Sequence, residues 1–325
     1  MLPVAVDAMG GDKSPAEIVE GARRAVAAGI AVTLVGPPDL GDRVDIGDLE
    51  VIPASEVVDM TEDAGQSVRR KKDSTLVRAA EAVRDGKASA MISAGNTGAT
   101  MAAALFRMGR ISGVKRPAIA TPIPVPGSEP TVLLDAGANV EVQPDWLVQF
   151  AQMGSVYSRL RFGIAEPRVG LLSIGEEPGK GDSLRKETYA LLEAAPHLHF
   201  VGNVEGRDIM TSDVDVVVTD GFTGNVVLKA LEGGVRTVVE ALLAAFATDE
   251  STKAHADALM PALMPLYASL DPDTYGGAIL LGVDGLCIIS HGSSGATAMQ
   301  NAITMAAEMS AAHMVDELRV AISGW

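Results

Sequence analysis

The sequence is poor in several things at once. One cysteine among 325 residues excludes an intrachain disulfide and leaves no thiolate set for zinc or an iron–sulfur cluster. Aromatic residues make up 4%, too few stacking platforms for a protein that grips bases. Positive charge is scarce: 26 Lys and Arg against 42 Asp and Glu give a formal charge of −16, the wrong sign for a nucleic-acid binder. No uninterrupted apolar run reaches the roughly 18 residues of a membrane span. Residues 1–7 carry no basic stretch ahead of their apolar ones, unlike a signal peptide. Low-complexity tracts and Pro/Ser/Gly linkers are also missing, so residues 1–325 are expected to form one domain. A cytoplasmic protein is expected, with no nucleic-acid partner and no metal.

What is present is apolar side chain (47%) and glycine (34 residues). Short β-branched runs at 4–7, 31–35, 90–93, 118–122, 132–135, 169–173, 199–201, 214–219 and 286–290 read as strands. Several are apolar throughout, as strands covered on both faces are. Between them lie helical patterns: Ile18, Val19, Ala22 and Val26 share a face, as do Leu147, Phe150, Met153, Gly154 and Tyr157. One helix is expected over residues 296–322. The alternation predicts an α/β fold, a mostly parallel sheet with helices on both faces. Residues 232–272 hold two consecutive helical patterns with no strand between them, which predicts a projecting helical hairpin.

Glycine clusters just after predicted strands. These loops are Asp7-Ala8-Met9-Gly10-Gly11-Asp12, Gly95-Asn96-Thr97-Gly98, Asp220-Gly221-Phe222-Thr223-Gly224-Asn225 and His291-Gly292-Ser293-Ser294-Gly295. Each joins a strand's carboxyl end to a helix start, where ligands bind in open parallel sheets and where bare N–H groups attract anions. Together they predict a phosphate or acyl-phosphate site on one sheet edge. None is a nucleotide motif, and Gly175–Gly181, which contains Lys180, has the wrong spacing for a P-loop, so no ATP or NAD cofactor is indicated. Lys180, between two glycines, is positioned to neutralise phosphate as a point charge.

Nucleophiles are few: Cys287 lies inside an apolar run, and Gly292-Ser293-Ser294-Gly295 is not a G-x-S-x-G elbow. Chemistry that needs no enzyme nucleophile fits best. The one dense basic run, Arg69-Arg70-Lys71-Lys72, can steer an acidic partner that the rest of the surface repels. Asp73 or Ser74 follows as a helix cap.

In this order, with Leu134-Asp135-Ala136-Gly137-Ala138-Asn139, Gly202-Asn203-Val204-Glu205-Gly206 and Tyr275-Gly276-Gly277-Ala278, the loops resemble the PlsX family of phosphate acyltransferases over nearly the whole chain. The resemblance implies a phosphotransacetylase/isocitrate-dehydrogenase-like fold and a homodimer. It also implies peripheral contact with the inner face of the cell membrane through the helical pair. The implied reaction converts acyl-[acyl carrier protein] and inorganic phosphate into acyl phosphate and free carrier, with no cofactor. The product would pass to a glycerol-phosphate acyltransferase in phospholipid synthesis.

Phosphate is anionic near neutral pH and attacks the thioester itself, so the enzyme has to hold it and stabilise the oxyanion. Lys180, Asn225, Asn96 and Thr97 are the expected donors, with His291 as acid toward the leaving thiolate. Asp7, Gly10, Gly11, Asp12, Gly98, Asp220, Gly221, Thr223 and Gly224 are expected to shape the substrate site, and Arg69, Arg70, Lys71 and Lys72 to dock the carrier. Leu259, Met260, Leu263 and Met264 form the expected membrane tip. That tip departs from the family pattern: it is almost uncharged and holds Pro261 and Pro265, which are expected to break or kink a helix. A phosphotransacetylase acting on acyl-coenzyme A, a dehydrogenase of the same fold class and a carrier-binding scaffold are the competing readings. The donor preferred, a nicotinamide absorbance change and binding without turnover discriminate them.

Overall fold

A computed structural model describes residues 2–323. The strands within them are β1 (Val4–Asp7), β2 (Val32–Gly36), β3 (Glu50–Pro53), β4 (Ala90–Ser93), β5 (Ala118–Ile123), β6 (Thr131–Leu134), β7 (Arg168–Leu172), β8 (His199–Val204), β9 (Val216–Val218), β10 (Ala278–Leu281) and β11 (Leu286–Ile289). The helices are α1 (Ala16–Ala27), α2 (Leu40–Arg43), α3 (Ala64–Arg70), α4 (Thr75–Arg84), α5 (Thr97–Arg107), α6 (Pro144–Phe162), α7 (Ser183–Ala194), α8 (Gly221–Phe246), α9 (Glu250–Leu270), α10 (Ala296–Ala311) and α11 (Met314–Ser323).

All eleven strands join one sheet in the order β3-β2-β1-β4-β11-β10-β5-β6-β9-β7-β8. From β3 to β11 neighbours are parallel, with Val6 opposite Leu34 and Ile288 opposite Ile92. The sheet then reverses three times: β10 is antiparallel to β11 and to β5, and β5 is antiparallel to β6. The second block, β6-β9-β7-β8, is again parallel but points the other way. The carboxyl ends of β1, β4 and β11 therefore share one edge, and those of β6, β7 and β9 share the opposite edge.

Strand alternation sorts the core into two faces. Val4, Val6, Ile92 and Ile288 pack against Ile18 of α1 and Met299 and Ile303 of α10, with Phe150 of α6 continuing that layer. On the other face Ala5, Met91, Cys287 and Leu280 meet Leu76 of α4 and Ala103 of α5. Farther along, Leu133, Leu172 and Val217 meet Val227, Leu228 and Leu231 of α8. Fully burying a side chain such as Phe150 contributes about 1.5–3 kcal/mol, so the sheet is held from both sides.

Several expectations need correction. The first helix of the hairpin starts at Gly221, not near residue 232, because Asp220 caps it: Oδ1 accepts from Thr223 N at 2.8 Å. In the second, α9 runs unbroken through Pro261 and Pro265. The carbonyls those prolines leave unbonded, on Asp257 and on Pro261 itself, lie on exposed residues where water satisfies them. The last helix is two, α10 and α11, parted at His313, whose φ of 52° is left-handed. β3 and β10 were not expected at all.

Candidate active site

The three loops at the shared edge lock together through their backbones. Asp12 N donates to Gly292 O at 2.8 Å, and Ser290 N donates to Ser93 O at 2.9 Å. Ser93 Oγ donates to Asp7 Oδ2 at 2.7 Å and accepts from Gly95 N at 2.9 Å. Gly10 is obligatory in this packing: a Cβ there would lie 2.7 Å from Gly95 N. Asp7 itself is sealed beneath the loops, and burial pushes its carboxyl up against hydrogen bonds from Ser93 and Met9. Asp7 and Gly10 thus pack the loops into a floor, and neither they nor Gly11 lines the cleft above it.

Above this floor opens a cleft of about 560 Å³. It lies over Ile119 and Thr121 of β5, where the sheet changes direction, between the glycine loops and the first turns of α8. Asp12, Thr97, Asn225 and His291 line it, as do Lys229, Ser290, Ser294 and Gly276–Gly277. Thr97 opens α5, whose first-turn N–H groups have no acceptor within the helix.

Ser290 and Ser294 are nearly inaccessible, yet neither hydroxyl has a partner among the described residues. A buried hydroxyl without a hydrogen bond costs about 1–3 kcal/mol, so each of the two lacks a partner that a hydrogen-bond acceptor at the cleft wall would supply. Ser293 N donates to His291 Nδ1 at 3.3 Å, which makes Nδ1 the acceptor and assigns the ring proton of the neutral imidazole to Nε2. Lys229 is exposed and pairs with Glu232 at 2.8 Å. Asp271 and Asp273 close the far wall, and burial, aided by Asp271, pushes the Asp273 carboxyl up.

Asn225 reaches the cleft because of Asp135. That buried carboxylate accepts from the N–H groups of Ile119, Gly137, Ala138 and Asn139 and from Asn139 Nδ2. Burial raises its pKa despite these bonds. The coiled loop it holds seats α8: a Cβ on Gly224 would fall 1.9 Å from Asp135 O. Asn225 Nδ2 then donates to Ala136 O at 3.2 Å.

The other expected site residues do not gather here. Reversal of the sheet sends the loops after β7 and β9 to the opposite edge, so three of the four expected loops share one edge, and of the fourth only Asn225 reaches the cleft. Asp220 and Thr223 line a separate hollow with Arg185, which donates to both. Although burial pushes the Asp220 carboxyl up, Thr223 N–H and Arg185 hold it below its usual range. Gly221 and Gly224 are buried against the Asp135 loop. Lys180 is half exposed, 4.0 Å from Glu177, and does not line the cleft. Asn96 caps α5, accepting from Ala99 N at 3.0 Å and donating to Met60 O and Glu62 O. Gly98 faces a cavity on the far side of α5.

In the basic run, Lys71 is held by Glu62 and by Val57 O, while Arg69 lies over the Phe106 ring at 5.2 Å. Arg70 and Lys72 are exposed and make no ion pair among the described residues. Leu259 and Met264 are exposed on α9, and Met260 and Leu263 are partly covered. No described helix is long and apolar enough to cross a membrane, and no described cluster of His, Cys, Asp and Glu could hold a metal.

Comparison with known proteins gives a consistent answer. The fatty acid synthesis protein family model matches residues 2–316. A phosphate acyltransferase of Geobacillus thermodenitrificans is 45% identical over 325 residues, covering 98% of each chain. Another, from Desulforudis audaxviator, is 48% identical over 310 residues, covering 94% of this chain and 92% of that one. Among solved structures, a phosphotransacetylase from Streptococcus pyogenes superposes with a TM-score of 0.63 at 17% identity, over 95% of this chain and 94% of its own. That last likeness concerns the fold alone.

Proposed function

The chain belongs to the fatty acid synthesis protein family, that of the phosphate acyltransferases, and we propose that its cleft transfers a fatty acyl group from acyl carrier protein to inorganic phosphate. The observation that carries this is the pair of buried, unpartnered hydroxyls of Ser290 and Ser294 on the cleft wall. They donate to phosphate oxygens together with Thr97 and the N–H groups that open α5. A phosphate oxygen attacks the thioester carbon, the C–S bond breaks, and the sulfur leaves as thiolate. Lys229 and Asn225 face the developing oxyanion; one such donor is typically worth about 3–4 kcal/mol. His291 Nε2–H hydrogen-bonds the leaving sulfur, and the proton that completes the thiol is the one hydrogen phosphate sheds on becoming acyl phosphate. The products are acyl phosphate and free carrier. The role expected of Lys180 passes to Lys229, the lysine of the cleft.

The carrier, being acidic, docks on Arg70 and Lys72 beside Arg69. Met60, in the same segment, lines the cleft, so this surface adjoins the site. Lys71 is committed to Glu62 and contributes less. The exposed apolar residues of α8 and α9, among them Val238, Leu242, Leu259 and Met264, support contact with a second copy of the chain and with a membrane face. The protein thus works in the cytoplasm as a homodimer at the membrane, handing acyl phosphate to a glycerol-phosphate acyltransferase.

The test is incubation with palmitoyl carrier protein and inorganic phosphate, with hydroxylamine to trap acyl phosphate and acetyl-coenzyme A as the competing donor. Trapped acyl hydroxamate that requires phosphate is expected. Carrier binding without product, or product from acetyl-coenzyme A alone, overturns the reading.

A further inference from the structure

A second hollow, about 430 Å³, lies beside the cleft. Thr121, Pro122, Leu228, Glu232 and Asp271 line both, so the two adjoin along these residues. From the shared Leu228 the groove follows one stripe of α8: Leu231, Val235, Val239 and Leu243 recur every three or four residues. Tyr267 and Leu270 of α9 face that stripe, and Ile123, Pro124 and Met210 close the base. The charged residues of this stretch, Glu232, Arg236 and Glu240, alternate with the apolar ones, the placement of groups that keep their heads in water while apolar surface turns inward.

We propose that this groove holds the acyl chain of the donor, with Val235 and Val239 setting the chain length accepted. The inference rests on the reading of the cleft as an acyl-transfer site and adds where the hydrocarbon goes. The thioester has to sit in the cleft beside phosphate, and an attached chain needs an apolar path that begins there; the groove starts at the cleft wall. At about 1.5 Å per residue, Val239 lies ~16 Å along α8 from Leu228, so an eight-carbon chain stops short of it and a sixteen-carbon chain does not. Val238 and Leu242 stand on a different stripe, which leaves them for other contacts.

Val239→Trp fills the far half of the groove on a residue that is only partly covered, so the fold tolerates it. Palmitic and octanoic acids are titrated calorimetrically into the wild-type protein and the variant, with no carrier present. Exclusion of three methylenes weakens palmitic acid about 50-fold, at ~0.8 kcal/mol each, and leaves octanoic acid within about twofold. The variant's turnover of palmitoyl carrier protein falls while its KM for phosphate stays. The proposal is overturned if wild-type protein binds no palmitic acid, if both acids weaken alike, or if palmitic acid binds the variant unchanged. A changed mass in solution with unchanged palmitic acid affinity also overturns it and makes the groove a seat for a second copy. If palmitic acid responds as stated but no acyl phosphate forms, the groove stands and the acyl-transfer reading fails.

Discussion

Gly224 offers a sharp perturbation because its neighbour is backbone. A Cβ added there would come to rest 1.9 Å from Asp135 O, and 3.0 Å from the carbonyl carbon behind it. Real Cβ contacts do not fall below about 3 Å, so α8 has to withdraw by about 1 Å or tilt. The Asp135 loop cannot yield, since four backbone N–H groups and the Asn139 amide converge on its carboxylate. Asn225 and Lys229 are carried on that first stretch of helix, so both move relative to His291 and the serines. A displacement of 1 Å at reacting groups typically costs about 100-fold in rate, and overpacking costs about 1–3 kcal/mol of stability. Gly224→Ala is therefore expected to lower kcat/KM about 100-fold and to lower Tm, with far-UV circular dichroism retained. Gly233→Ala is the matched control: nothing lies within 4 Å of a Cβ there. It replaces glycine inside the same helix, so it should gain about 0.5–1 kcal/mol and keep full activity. Wild-type turnover in Gly224→Ala would show that the start of α8 does not position the reacting groups.

Three further outcomes are expected. Reversing Arg70 and Lys72 to Glu raises KM for carrier substrate and flattens its salt dependence, leaving KM for phosphate alone; unchanged kinetics remove this surface from docking. Leu263→Asp reduces flotation of the protein with liposomes, and flotation indifferent to the change rejects α9 as the anchor. A hydrogen bond from Lys71 holds the Glu62 carboxyl down at about 2 rather than 4.5. Its contribution to stability is thus present above pH 4.5 and is lost as pH falls through about 2. Glu62→Gln should lack that acid-limb slope in urea titrations, and an identical slope would separate Lys71 from Glu62.

The sequence carries the strands well where local pattern decides them. The runs at 4–7, 90–93 and 286–290 are apolar on both faces, and they become the buried β1, β4 and β11. It carries strand direction poorly, since direction depends on which distant segment a strand pairs with. β10 is short and follows a glycine pair, and its two antiparallel pairings cancel, leaving β5 parallel to β11; the antiparallel β5–β6 pair then turns the second half of the sheet around. That reversal is why the loops holding Lys180 and Thr223 leave the edge where His291 and Thr97 meet. Glu50–Pro53 escaped because an edge strand is only partly covered and holds no apolar run.

Asn225 and His291 were legible as loop residues beside glycine turns. Lys229 was not, because it enters the cleft only once α8 is known to begin at Gly221 and to rise one turn past Asn225. Ser290 and Ser294 looked like turn residues, and only their burial without partners distinguishes them. The prolines of α9 misled for a physical reason: an exposed helix loses little when its unbonded carbonyls meet water.

The most direct measurement is KM for phosphate in Ser290→Ala and in Ser294→Ala, with palmitoyl carrier protein saturating. A hydrogen bond to a charged ligand is worth about 1.5–3 kcal/mol, so each substitution should raise that KM by at least about tenfold while the fold and the KM for carrier hold. A KM for phosphate equal to that of the wild type in both variants would mean that the anion binds somewhere other than this cleft.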